Sequence, residues 1–253
     1  MAVKPNDMMG GLAKGLRVIE AFTADTPRLS ISEAAEIAGL DRATTRRCLL
    51  TLAEQGYCAY DGKFFTVTPR VLRLGTGCLA SMPLPRIVQP WLDQLSEQIG
   101  QSTSVAILDG AEIVYVARAA QRRVMSIALM PGSRLPAYCT SLGRVMLAAL
   151  PEKQVNEHLE TQSLLARTPY TLNTVEAVMG ELSRVRSQGY AAVDQEVEPG
   201  LRSVAVPLRN AHGTVVAALN TGLAASPEPM AEVIEAYLPS LQKVSRELQG
   251  VLA

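Results

Sequence analysis

Two helix-forming segments separated by a very short turn constrain this chain more than any other feature. Ser30 is followed three residues later by Glu33. That is the spacing of a capping box, in which the serine oxygen accepts from the Glu33 backbone amide and the glutamate side chain accepts from the serine amide. The helix begun there carries Ala34, Ala35 and Ile37 and stops at Gly39, a residue type suited to the left-handed position that ends a helix. Leu40 alone separates Gly39 from Asp41, a favoured N-cap for a second helix over 42–55. Two helices joined by a Gly-containing turn of this length make a helix-turn-helix.

The flanks extend that reading. A first helix opens over 15–22 with Leu16, Val18, Ile19 and Phe22 as its apolar side. Beyond Gly56, two strand-like runs, 57–60 and 63–67, enclose Asp61 and Gly62. Asp-Gly favours a two-residue type I′ hairpin turn, because both turn positions need positive φ. Helix, helix-turn-helix and hairpin together predict a winged helix-turn-helix.

The second helix packs with Ala43, Leu49, Leu50, Leu52 and Ala53, while Arg42, Arg46 and Arg47 gather at its N-terminal end with Thr44 and Thr45. A recognition helix presents that end to the major groove. There an arginine can take guanine with two hydrogen bonds and a threonine can meet a thymine methyl or a phosphate. The whole chain gives no such signal, since Lys+Arg and Asp+Glu are both 24. Even over 28–73 the excess is weak, seven basic residues against five acidic ones. Charge runs are commonly solvated faces; the capping box, turn and wing in succession give this one a partner, double-stranded DNA. The expected contact set is Ser32, Arg42, Ala43, Thr44, Thr45, Arg46 and Arg47, with Lys63 at the wing tip against backbone phosphate.

Thr68 and Pro69 start a further helix, and Met82, Pro83, Leu84 and Pro85 break the chain. The expected division is 1–80 for the DNA-binding domain with its linker helix and 81–253 for a second domain. An amphipathic helix over 86–99 opens the latter. Strands are expected at 104–108 and 112–117 as a hairpin, then at 124–130, 191–197, 203–208 and 215–219. Helices are expected at 141–150, 155–159, 175–188 and 230–252, with a loop at 131–136. This is an α+β domain with a mainly antiparallel sheet. At 48% hydrophobic residues the 253-residue chain can fill two cores.

Several functions are disfavoured. Cys48, Cys58, Cys78 and Cys139 form no C-x-x-C pair, and only His158 and His212 could join them, so no metal or cofactor is expected. No apolar run reaches a membrane span, no secretion segment is visible, and the cysteines read as reduced thiols. A cytoplasmic soluble protein is expected. The run at 75–80 mimics part of a dinucleotide fingerprint but follows a helix. Ser141 lacks a base and a Gly-x-Ser-x-Gly elbow. A small-molecule hydrolase with a fused helical domain is therefore the weaker alternative, beside a DNA-binding dimer whose second domain only oligomerises.

Some segments carry a resemblance. KGLRVIEAF at 14–22, GLDRAT at 39–44, LTL at 50–52 with Gly56 and Tyr57, and TPRVLRLG at 68–75 resemble the DNA-binding half of IclR-type transcriptional regulators. GSRLPAYCTSLGR at 132–144 and VDQEVEPGLRS at 193–203 resemble their effector half, closest to the subgroup controlling the β-ketoadipate pathway of aromatic-acid breakdown. The resemblance implies a GAF-like effector-binding domain, dimers paired into tetramers, and an operator beside a catabolic promoter. It implies an effector pocket bordered by Thr140, Ser141, Leu142, Asp194, Leu201, Ser203 and Asn220, with Ile127 and Leu135 in its walls. On residue chemistry alone, Thr140 is a helix N-cap, and Asp194, Glu196 and Glu198 are a row on one strand face. A small carboxylate, an aromatic acid above all, suits a pocket at a helix N-terminus.

Overall fold

The caps supplied by the sequence build the N-terminal helices. The computed structural model describes residues 7–23, 25–121 and 129–252. Within it α1 (Gly10–Glu20), α2 (Ile31–Ala38) and α3 (Arg42–Glu54) surround the turn at Gly39. Glu33 accepts from the Ser30 amide at 2.7 Å and Ser30 Oγ from the Glu33 amide at 3.4 Å. Gly39 sits at φ 59°, and Asp41 Oδ1 accepts from the Thr44 amide at 2.8 Å. Arg17 of α1 donates to the carbonyls of Ala38 and Gly39, capping the C-terminal end of α2. Val18, Ala34, Leu49 and Phe65 are wholly buried between these elements.

The wing has three strands, β1 (Arg28–Leu29), β2 (Cys58–Tyr60) and β3 (Phe65–Val67), in the order β1-β3-β2 and antiparallel. Its loop corrects the type I′ expectation. Asp61 Oδ1 accepts from the amides of Lys63 and Phe64 at 2.9 and 2.7 Å, and of the two expected turn residues only Gly62 has positive φ. The aspartate side chain takes over part of the turn's hydrogen bonding, which lengthens the loop to four residues.

A 3₁₀ turn and α4 (Leu72–Ser81) close the first of two compact units, Met1–Ser81 and Met82–Ala253. The proline break is shorter than the spacing predicts. Met82 is the N-cap of α5 (Pro83–Ile99), and Pro83 takes the first helical position. Prolines fit the first turn because its amides have no intrahelical acceptor.

The second unit is a six-stranded antiparallel sheet: β4 (Ser102–Asp109), β5 (Glu112–Ala119), β6 (Arg134–Pro136), β7 (Ala191–Asp194), β8 (Leu201–Arg209) and β9 (Val215–Ala224). Its order is β6-β5-β4-β9-β8-β7. Helices α5 and α9 (Met230–Gln249) cover one face, with Leu92, Leu95, Leu241 and Leu248 packed near Val105 and Leu219. Helices α6 (Ser141–Ala148), α7 (Glu152–Glu160) and α8 (Val175–Gln188) cover the other, where Leu142, Leu147 and Leu182 meet Ile113 and Ala205. Both faces being covered, burial runs without alternation along the central strands, over 102–106 of β4 and 217–221 of β9. All eight residues of α6 are buried. Residues 124–128 of the strand expected at 124–130 lie outside the described residues, and Leu129 and Met130 are in no strand. The loop expected at 131–136 contains β6. The strand expected to reach residue 197 stops at Asp194, because Gln195 takes φ 61°.

Candidate functional site

In the first unit the N-terminal end of α3 is a basic surface. Ser32, Arg42, Ala43, Arg46, Arg47 and Lys63 are exposed and Thr44 is half-buried. Among the described residues none of the three arginines forms an ion pair. Asp41, next to Arg42 in the chain, is occupied as the cap of α3. Thr45 is a correction to the expected contact set. It is fully buried, and its hydroxyl donates to the Asp41 carbonyl at 3.0 Å, so it serves the fold. Lys14 of α1, which sequence reasoning missed, shares a groove with Thr44 and Arg47. At the wing, Arg28 lies 4.1 Å from the centre of the Phe64 ring and Lys63 lies 5.0 Å from it, which places two cations beside the loop.

In the second unit a cleft opens between the sheet and the N-terminal end of α6. It brings together Leu135, Thr140, Ser141, Leu142, Leu201, Ser203 and Asn220. The unoccupied space is about 460 Å³, counting the part open to solvent. Ser203 and Asn220 are each only 8% exposed. Thr140 is the N-cap of α6: its Oγ1 accepts from the Gly143 amide at 3.1 Å and donates to the Pro136 carbonyl at 3.2 Å. That leaves the amides of Ser141 and Leu142 without an intrahelical acceptor. Ser141 Oγ and Asn220 Oδ1 are buried and have no hydrogen-bond partner among the described residues. Both belong to cleft-lining residues, and an unsatisfied buried polar atom costs about 1–3 kcal/mol.

The helix end is fixed by two contacts. Gly143 passes so close to the backbone of Ala137 that a Cβ there would lie 2.2 Å from the Ala137 oxygen. Arg144, 1% exposed, donates to the Tyr138 carbonyl at 2.8 Å and holds Glu196 with two hydrogen bonds of 2.6 Å. Glu196 also accepts from the Leu172 amide at 3.0 Å, tying α6 to two loops.

Asp194 stands outside the cleft. It ends β7 and takes two hydrogen bonds from Arg202, at 2.8 and 3.1 Å, which hold its carboxyl below the usual carboxylate range. The expected carboxylate row therefore dissolves, because the strand ends before residues 196 and 198. Ile127 lies outside the described residues.

Sequence reasoning missed Tyr115 and Arg118, which complete the cleft with Leu129, Val197 and Gly222. A bulge opposite Val105 and Ala106 explains this. Val105 pairs with Ala117 and Ala106 with Tyr115, so Val116 is extra and the alternation slips by one residue. Residues 115 and 118 then share a face despite their odd spacing. Burial pushes the Tyr115 hydroxyl up to about 12 and the Cys139 thiol up to about 11, which leaves both protonated at neutral pH. Burial also pulls the Arg118 guanidinium below its ordinary value. Among the described residues no three His, Cys, Asp or Glu side chains converge to hold a metal, and no helix is long and apolar enough to cross a membrane.

Both units match known families. Residues 11–62 match the IclR helix-turn-helix domain, and residues 76–249 match the C-terminal domain of bacterial transcriptional regulators of the IclR type. The chain is similar to a Pca regulon regulatory protein of Pseudomonas putida, 42% identical over 96% of this chain and 84% of that one. It is also similar to a p-hydroxybenzoate hydroxylase transcriptional activator of Acinetobacter baylyi, 35% identical over 99% of this chain and 94% of that one. A crystal structure of the PobR inducer-binding domain from Acinetobacter, a double mutant in complex with 3-hydroxybenzoic acid, matches with a TM-score of 0.64. It is 33% identical, and the match covers 68% of this chain and all of that one. A winged helix-turn-helix with an exposed basic helix end, a separate unit with a buried polar cleft, and these matches over nearly the whole length lead to one conclusion: the chain belongs to the IclR family, whose members are transcriptional regulators and not enzymes.

Proposed function

We propose that this protein controls an operon of aromatic-acid catabolism by binding an operator through its first unit and a small carboxylate through its second. The effector is of the 4-hydroxybenzoate or protocatechuate type, or a dicarboxylate from the same pathway. The observation that carries this reading is that Ser141 Oγ and Asn220 Oδ1, buried and without a partner among the described residues, belong to residues lining one cleft. A ligand polar at both ends satisfies them; an apolar one does not. The relatives support the chemical class, since one regulates the Pca regulon, one activates p-hydroxybenzoate hydroxylase and one was crystallised with 3-hydroxybenzoic acid. In this reading the anion lies toward the N-terminal end of α6, near the amides of Ser141 and Leu142 and the Thr140 or Ser141 hydroxyl. Ser203 and Asn220 serve the far end, and Leu135 and Leu201 wall the ring.

On the DNA side, Arg42, Arg46 and Arg47 meet the major groove, and Ser32, Ala43, Thr44 and Lys63 line the same approach. A single winged helix reads one half-site, so the protein works as a homodimer or dimer of dimers. The exposed Leu72 and Leu74 of α4 are candidate contacts. The protein acts in the cytoplasm, where the DNA is. Fluorescence anisotropy with an operator enriched on the wild-type protein tests the DNA arm. Replacing an arginine that reads guanine by Ala is expected to cost about 1–3 kcal/mol and to relax preference at one base pair. A phosphate contact instead weakens all sequences evenly and flattens the salt dependence. Undiminished binding by all three single variants overturns the assignment.

A further inference from the structure

The cleft of the second unit contains a cation that has no anion partner among the described residues. Arg118 of β5 lines the cleft and is half-buried. One of its nitrogens donates to Ser104 Oγ at 2.8 Å, and it takes part in none of the ion pairs. Every aspartate and glutamate side chain lies among the described residues, and none of them pairs with it. Among the described residues the two buried arginines of this unit differ: Arg144 holds Glu196 and Arg202 holds Asp194, each with two hydrogen bonds. Strand register sets Arg118 opposite Ser104, and Ser104 opposite Asn220, in one row across β5, β4 and β9. That row ends on Asn220, whose Oδ1, unpartnered among the described residues, can accept only from the hydroxyl at the effector's far end.

A guanidinium drawn partly out of water without a counter-charge costs free energy, which a bound anion offsets. Its planar fork matches the two oxygens of a carboxylate. The N-terminal end of α6 contributes about half an elementary charge, whereas Arg118 contributes a full one. We infer that Arg118 is the anchor of the effector's carboxylate, with Ser104 holding the guanidinium in place and the α6 amides supplementing it. This rests on the proposed effector reading and deepens it: the cleft selects acids over their neutral analogues, and Arg118 makes the selection.

Titration calorimetry on the full-length protein tests this with 4-hydroxybenzoate and its neutral counterpart 4-hydroxybenzamide. The wild type is expected to prefer the acid by on the order of 10- to 100-fold. Arg118→Gln is expected to lose most of that preference by weakening acid binding while leaving amide binding unchanged, and Arg118→Lys to restore part of it. The unliganded melting temperature of Arg118→Gln is expected to equal or exceed that of the wild type. A Gln variant with full affinity and preference for the acid overturns the inference. So does one that weakens acid and amide equally, since that is the signature of a purely structural arginine. A wild type that binds none of 4-hydroxybenzoate, protocatechuate and adipate overturns the effector reading itself.

Discussion

Gly143→Ala is expected to destabilise the second unit by about 3 kcal/mol or more, lowering its melting temperature by roughly 6–12 °C. The methyl group would lie 2.2 Å from the Ala137 oxygen, 2.4 Å from its Cα and 2.6 Å from its carbonyl carbon. These are backbone atoms, so no side-chain rotation relieves the clash. The helix must back away from the loop, and all eight residues of α6 are buried, so every contact it makes is disturbed. Because Thr140 and Ser141 begin that helix, effector binding is expected to fall with stability. Gly180 in the exposed face of α8 is the control. A Cβ there meets nothing within 4 Å, so Gly180→Ala is expected to stabilise by about 1 kcal/mol through helix propensity alone. Thermal denaturation followed by circular dichroism checks both. Equal melting temperatures for Gly143→Ala and wild type would show that the loop can yield.

Glu196→Gln is expected to cost about 3–5 kcal/mol, because it leaves the Arg144 guanidinium, 1% exposed, without its counter-charge. The substitution keeps the shape of the side chain, so the loss reads charge and not cavity. Adding Arg144→Met to the Gln variant is expected to recover part of the stability, since the stranded charge is then gone. The comparison of single and double variants by urea denaturation isolates the pair. A single variant as stable as the wild type would mean that water or another group reaches Arg144.

Local rules made the first unit legible. The capping box of Ser30 and Glu33, the left-handed Gly39 and the Asp41 cap each act within four residues, and each appears where its spacing predicts. The loop at Asp61 was less legible, because Asp-Gly also supports a turn in which the aspartate oxygen replaces a backbone acceptor. In the second unit the helices were visible from their apolar faces. The single-residue break at Met82 was not, since a proline at the start of a helix and a proline in a linker look alike. Arg118 and Tyr115 were hidden by the bulge, which only pairing with β4 reveals. Asp194 was misleading for a related reason. Alternation groups it with Glu196, but Gln195 turns the chain, sending one carboxylate to Arg202 and the other to Arg144.

The response of operator binding to added aromatic acid, compared between wild type and Ser203→Leu, tests effector control most directly. Ser203 is 8% exposed at the cleft wall, and Leu there fills space and removes a hydroxyl. Without acid, both proteins are expected to bind the enriched operator with the same affinity, because Ser203 belongs to the second unit and the operator contacts to the first. With 4-hydroxybenzoate or protocatechuate titrated in, the wild-type affinity is expected to change and that of Ser203→Leu to stay flat. An undiminished response by Ser203→Leu, or no response by the wild type to either acid, would contradict the assignment of this cleft as the aromatic-acid site.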